Sequence, residues 1–137
     1  MANAAFKHVE QLLADYPLYP SEISKRKMAL AYPLRPVDEN IGGSHVSSNS
    51  SAQERYVVTL DQDRRLIALE TQYLTISDCL KLLNDDELRV IQLRYFNKSS
   101  RLTWEDVAKG SKYSKSQCLR IRDELVTDIG RKLGMMD

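Results

Sequence analysis

Cysteine and histidine are scarce in this chain: Cys79, Cys118, His8 and His45 are all that 137 residues contain. With no CxxC pair and no histidine at ligand spacing, a zinc site is not expected, and both thiols are read as reduced core residues. No apolar run approaches the ~20 residues of a bilayer-spanning helix, so no membrane partner is expected. The N-terminal MANAAFKHVEQLLADY has no uninterrupted signal-peptide core and carries Glu10 and Asp15. The expectation is a soluble cytoplasmic protein. An excess of one charge sign is missing too, since 20 Lys+Arg stand against 19 Asp+Glu for a formal net charge of +1. Any nucleic-acid footprint must therefore be local. Phosphate loops, carboxylate pairs at metal spacing and a nucleophile beside a base are also lacking. The chain is expected not to be an enzyme and to use no cofactor, metal or catalytic residue. The acidic NDDE at 84–87 is read as a helix start.

What is present is helical periodicity, interrupted once. Phe6, Val9, Leu12, Leu13 and Tyr16 fall at helical spacing in a first helix that ends before Pro17. SEISKRKMALAY predicts a second, capped by Ser21 and stopped before Pro33, so residues 1–32 read as an N-terminal helical hairpin with YPLYP as its turn. The text then changes to PLRPVDENIGGSHVSSNSS, where two prolines, Gly42-Gly43 and repeated serines predict an extended linker or arm over 33–51, and His45 has no role. Ser51 and Glu54 form a capping-box pattern that opens a long central helix over 52–83, for packing or oligomerisation. Leu60, Ile67 and Leu74 recur at seven, with Tyr56, Val57, Leu80 and Leu83 extending the stripe and Arg64 and Thr71 interrupting it. The stripe predicts packing against the N-terminal hairpin or, alternatively, a coiled-coil dimer.

Residues 84–137 have a different rhythm. Asn84 caps DDELRVIQLRYF, with Leu88, Ile91 and Tyr95 as its apolar face. Thr103 caps the short TWEDVAKG, with Trp104, Val107 and Ala108 inward, and GSKY follows as a tight turn. Ser114 and Gln117 then repeat the capping-box pattern at the start of a longer helix whose Cys118, Ile121, Leu125 and Ile129 share one face. Short helix, tight turn and long helix with a polar, basic outer side is the sequence form of a helix-turn-helix, here with Ala108 small where the two helices approach. The fold class is thus all-α, ending in a DNA-binding module over 84–137. The residues expected to face DNA from the first two turns are Ser114, Lys115, Ser116, Gln117, Leu119 and Arg120, with Arg122, Lys109 and Lys112 expected to meet phosphates. Ser111 and Lys112 stand where many such turns carry Leu and Gly, and Gly110 is expected to supply the missing flexibility. From 101 to 137, eight Lys+Arg and six acids leave a net charge of only +2, a weak field that predicts DNA affinity built from two copies or a second protein.

YPLYP (16–20), PLRPVDENIGG (33–43), SNSSAQE (48–54) and LRVIQLRYFNKS (88–99) run through most of the chain ahead of the helix-turn-helix. With these segments the sequence resembles the phage-encoded RinA-type transcriptional activators of Gram-positive bacteria, related in outline to ArpU-type late regulators. Its C-terminal region is similar to the promoter-reading part of sigma factors. The resemblance implies a prophage activator in the bacterial nucleoid that binds double-stranded promoter DNA and switches on late packaging and structural genes. Host RNA polymerase, or a second copy in a homo-oligomeric dimer, is then the protein partner. The alternative reading is a DNA-packaging protein like a small terminase subunit, which also joins a helix-turn-helix to oligomerising helices.

Overall fold

A computed structural model describes residues 3–31, 59–60, 63–97 and 101–137, and the described residues are all-helical. The helices whose bounds are described are, in order, α1 (Ala4–Asp15), α2 (Tyr19–Ala31), α3 (Arg64–Lys81), α4 (Asp85–Tyr95), α5 (Trp104–Lys109) and α6 (Lys115–Lys132). A single 3-10 turn, Tyr16–Leu18, joins α1 to α2. The expected linker over 33–51, the Ser51–Glu54 capping box, and Tyr56 and Val57 of the long stripe lie outside the described residues. The chain divides into two units, Met1–Leu18 with Gln72–Asp137, and Tyr19–Thr71.

In the first unit, α1 opens where the Asn3 side chain accepts from the Phe6 backbone N–H at 2.7 Å, and its Val9, Leu12 and Leu13 are buried. That stripe packs on α6, while α5 packs on α4 and α6, and α4 also packs on α6. Val90, Ile91 and Tyr95 from α4, Val107 from α5, and Cys118, Ile121, Leu125, Val126 and Ile129 from α6 complete the core. Both cysteines are buried as apolar residues, and burial pushes the Cys79 thiol up to about 11. α4 begins with a reciprocal cap: Asn84 Oδ1 accepts from the Glu87 N–H at 2.8 Å and Glu87 Oε1 accepts from the Asn84 N–H at 3.0 Å. The C-terminus of α6 closes in a Schellman turn, with the Met135 N–H bonded to the Gly130 carbonyl and the Gly134 N–H to the Arg131 carbonyl. Gly134 takes φ +76°, where any Cβ would be strained.

Two helix starts differ from expectation. α2 begins at Tyr19, so Ser21 does not cap it, and Pro20 sits in its first turn, where a missing N–H is harmless. Thr59 and Leu60 are helical, but Asp63 is not, and its carboxylate caps α3 by accepting from the Leu66 N–H at 2.7 Å. Within the second unit the same carboxylate takes a bidentate pair from Arg26 on α2, at 3.1 and 2.6 Å. The Arg26 guanidinium and the Leu66 N–H hold the Asp63 carboxyl below the usual carboxylate range. An acid with two jobs therefore starts α3 at Arg64.

The buried face of α3 is also not the stripe that repeats at seven. Leu66, Leu69, Ile76, Cys79 and Leu80 are buried, whereas Ile67 and Leu74 are 46% and 60% exposed. The register 66, 69, 73, 76, 80 alternates steps of three and four, which follows one side of an α-helix more closely than a single residue every seven.

Candidate nucleic-acid interface

The path from α5 to α6 is fixed by short-range chemistry. Thr103 Oγ1 accepts from the Asp106 N–H at 3.2 Å and starts α5, which lasts six residues and ends at Gly110. Gly110 has φ −89°, an ordinary value, so left-handed flexibility is not why glycine stands here. A Cβ built at this position would lie 3.1 Å from Leu93 Cδ1 on α4, a tight approach that Leu93 would have to relieve by a few tenths of an ångström. Ser111 then staples the turn, its hydroxyl donating to the Ala108 carbonyl and accepting from the Tyr113 N–H, both at 3.3 Å, and lying 3.6 Å from Cys118 Sγ. A leucine could make none of these bonds.

At the start of α6, Ser114 Oγ accepts from the Gln117 N–H at 3.2 Å, and Gln117 Oε1 accepts from the Ser114 N–H at 2.9 Å. This reciprocal cap occupies the Gln117 carbonyl oxygen but leaves its amide N–H groups exposed. Ser114, Lys115, Ser116, Gln117 and Arg120 are all exposed, Leu119 is half-buried, and Lys109 and Lys112 flank the turn in solvent. The structure thus brings eight of the nine expected residues to the turn and the first two turns of α6. Lys115 Nζ reaches Glu105 Oε1 at 2.5 Å and holds that carboxyl below its usual range, while Lys112 lies 3.6 Å from Asp86. Both pairs are exposed and exchange readily for another anion. Asp123 and Glu124 follow on the exposed side of α6, so its basic start gives way to an acidic pair, ahead of Arg131 and Lys132 at its far end.

The ninth residue, Arg122, lies elsewhere. Its side chain is 20% exposed and its guanidinium sits 5.2 Å from the ring centroids of both Phe6 and Trp104. Arg122 Nη1 is 3.4 Å from Glu10 Oε2 on α1, and Nε donates to Asp123 at 2.6 Å. Burial works against its charge, and the neighbouring carboxylates outweigh that and keep it protonated. Glu10 also accepts from the Tyr95 hydroxyl at 2.6 Å, so one carboxylate of α1 ties α4 to α6. Burial, with this hydrogen bond behind it, pushes the Tyr95 hydroxyl well above its ordinary pKa. Arg94 stacks 4.8 Å over the other ring partner of the group, Trp104, and donates to the Leu102 carbonyl.

A family profile described as "Protein of unknown function (DUF722)" matches residues 6–131. The chain is also 30% identical over 129 residues to the protein named "Transcriptional activator rinA" of Staphylococcus phage phi11, a match covering 93% of this chain and 89% of that protein. The chain belongs to the RinA-type family. No solved structure gives a significant match to it.

In this RinA-type chain the sequence reading missed the support behind α6. Glu10 stands 85 residues before Tyr95 and 112 before Arg122, and no local pattern links them. The available signal was Trp104, the lone tryptophan, set in a short helix among charged neighbours, where a large aromatic calls for a partner. Among the described residues no helix is long and apolar enough to cross a membrane.

Proposed function

We propose that this chain is a phage transcription activator that binds promoter DNA with residues 84–137, using α5, its turn and α6 as a helix-turn-helix to switch on late packaging and structural genes. The observation that carries the reading is the start of α6. A doubly capped helix end projects Lys115, Ser116, Gln117 and Arg120 from a rigid turn, with its opposite face in the core. That is the placement by which a recognition helix enters the major groove with its N-terminal residues. The Gln117 amide suits an adenine or a phosphate acceptor, and Lys115 and Arg120 suit guanine O6 and N7 or phosphate. Lys109, Lys112 and Ser114 contact the backbone beside the turn, and Leu119 offers an apolar contact to a thymine methyl. Arg122 acts from behind, as a positioning residue on α6. Asp123 and Glu124 limit the DNA contact to the first two turns, since this acidic pair, which follows them directly, repels phosphates.

The relative's name as an activator supports the regulatory role, and host RNA polymerase is the natural protein partner of a promoter-bound activator. The test is footprinting of the purified chain across the region upstream of its phage's packaging genes, over a salt series. A discrete footprint beside the polymerase site, weakened by Arg120→Ala and Lys115→Ala, is expected. Protection confined to packaging-gene sequence would point to a terminase-like protein, and absence of any protection would remove the DNA-binding reading.

A further inference from the structure

An open groove of about 830 Å³ lies in the first unit, along the C-terminal half of α3, where exposed Leu74, Asp78 and Lys81 border buried Leu80. Its walls are mainly apolar, with Tyr16, Tyr73, Leu83, Leu88 and Phe96 among them. Tyr16 stacks between Tyr73 at 5.3 Å and Phe96 at 5.7 Å, and its hydroxyl is bonded to Ser77 Oγ at 2.7 Å, so the wall is ordered. Leu74, on this wall, is 60% exposed, and Leu82, directly after the end of α3, is 72% exposed. Leu74, Ser77, Asp78 and Lys81 form one stripe of α3 at helical spacing. Asp78 and Lys81 are exposed, and no ion pair or hydrogen bond of either side chain is found among the described residues.

We propose that this groove is the interface between two copies of the chain, with their α3 helices antiparallel about a twofold axis that passes between Asp78 and Lys81. Such an axis sets Asp78 of each copy opposite Lys81 of the other, pairing four charges that have no partner among the described residues of one chain. It also carries Leu82 of each copy over Ser77, on the wall of the other's groove, so knob and hole come from the same surface, as a twofold contact demands. A parallel pair along Ile67 and Leu74 fails on two counts. It would place Asp78 against Asp78 and Lys81 against Lys81. The positions three and four residues beyond each apolar residue are Glu70, Thr71, Ser77 and Asp78, so a second apolar seam is lacking. Antiparallel packing turns both repulsions into attractions.

Sedimentation equilibrium of the full chain without DNA tests the interface independently of any role on DNA. The wild type is expected to behave as two chains. Asp78→Lys and Lys81→Asp each convert two attractive contacts into repulsive ones and are expected to weaken association about tenfold at low salt. The double variant D78K/K81D is expected to regain the wild-type constant to within about threefold, because the pairs are restored in reverse. Leu82→Glu is expected to give single chains with the wild-type circular-dichroism spectrum, because within one chain this side chain is already in solvent. A wild type that stays a single chain at about 100 µM overturns the proposal. So does an assembly of more than two chains, or a dimer whose double variant is no better than either single one.

Discussion

Replacing Arg122 with Ala should separate support from recognition. The substitution removes two cation–aromatic contacts, each at 5.2 Å, which at a half-buried site are worth about 0.5–1 kcal/mol apiece. It also removes the 3.4 Å pair with Glu10, both side chains being only about one-fifth exposed, for roughly a further 1 kcal/mol. The contact with the adjacent Asp123 is exposed on the acid's side and adds little. The sum is about 2–3 kcal/mol, and for a chain of this length it should lower Tm by roughly 8–12 °C. Glu10→Gln, which keeps an acceptor for the Tyr95 hydroxyl but loses the charge, should cost about 1 kcal/mol. Arg120→Ala, at an exposed position, should leave the melt unchanged. DNA titrations at 15 °C then complete the contrast. Arg122→Ala should keep the wild-type slope of log K against log salt, and Arg120→Ala should reduce its magnitude by nearly one, as expected for a lost phosphate contact. An Arg122→Ala protein that melts like the wild type and loses a unit of salt slope would refute the assignment and return this residue to the DNA.

Other substitutions probe the frame around the site. Ile121→Asp or Cys118→Asp buries an unpaired carboxylate in the α6 face, and at more than about 4 kcal/mol it should abolish the cooperative melt of the first unit by circular dichroism. Gly134→Ala forces a Cβ into φ +76° in the Schellman turn and should cost about 1 kcal/mol in urea unfolding with an unchanged m-value. Asp63 has a depressed carboxyl pKa, so its contribution to stability is present above the ordinary carboxylate range and is lost as pH falls through the lowered value. Asp63→Asn, which still caps α3 but cannot pair with Arg26 as an ion, should therefore lower Tm at pH 7 and flatten the fall of Tm below about pH 4.

Local chemistry was legible in the sequence and long-range chemistry was not. The caps at Asn84, Thr103 and Ser114 depend on residues three apart, and each was readable because those residue types satisfy orphan N–H groups in one way. The apolar faces of α1 and α6 were readable for the same reason, since each shows a single stripe. α3 shows two. Leu66, Leu69 and Ile76 compete with Ile67 and Leu74, Leu80 of the expected stripe is buried with the former, and which side is buried depends on neighbours far along the chain. The roles of Gly110 and Ser111 were hidden for a related reason. The tight approach to Gly110 comes from Leu93, and the contact of Ser111 with Cys118 exists only once α6 folds back on the turn.

The charge inventory connects the two surfaces. Of the eight cations from 101 to 137, Lys112, Lys115, Arg122 and Lys132 are paired with side-chain carboxylates, and Arg131 donates to the Asp137 backbone oxygen. Arg101, Lys109 and Arg120 have no acidic partner among the described residues. Three free cations and two exchangeable ones give a single copy a salt slope of only about −3 to −4.5, which is the regime of weak binding. Two copies joined through α3 double that slope and make the second contact intramolecular, raising affinity by about 10²–10⁴ without any new residue on the DNA. Asp78→Lys lies on α3, outside the proposed DNA-contacting set, yet it should weaken DNA binding at dilute protein and halve the salt slope. The D78K/K81D double variant should restore both. If Asp78→Lys breaks the dimer and leaves the slope intact, each copy reads its DNA alone, and the weak basic field must be supplemented by another protein at the promoter.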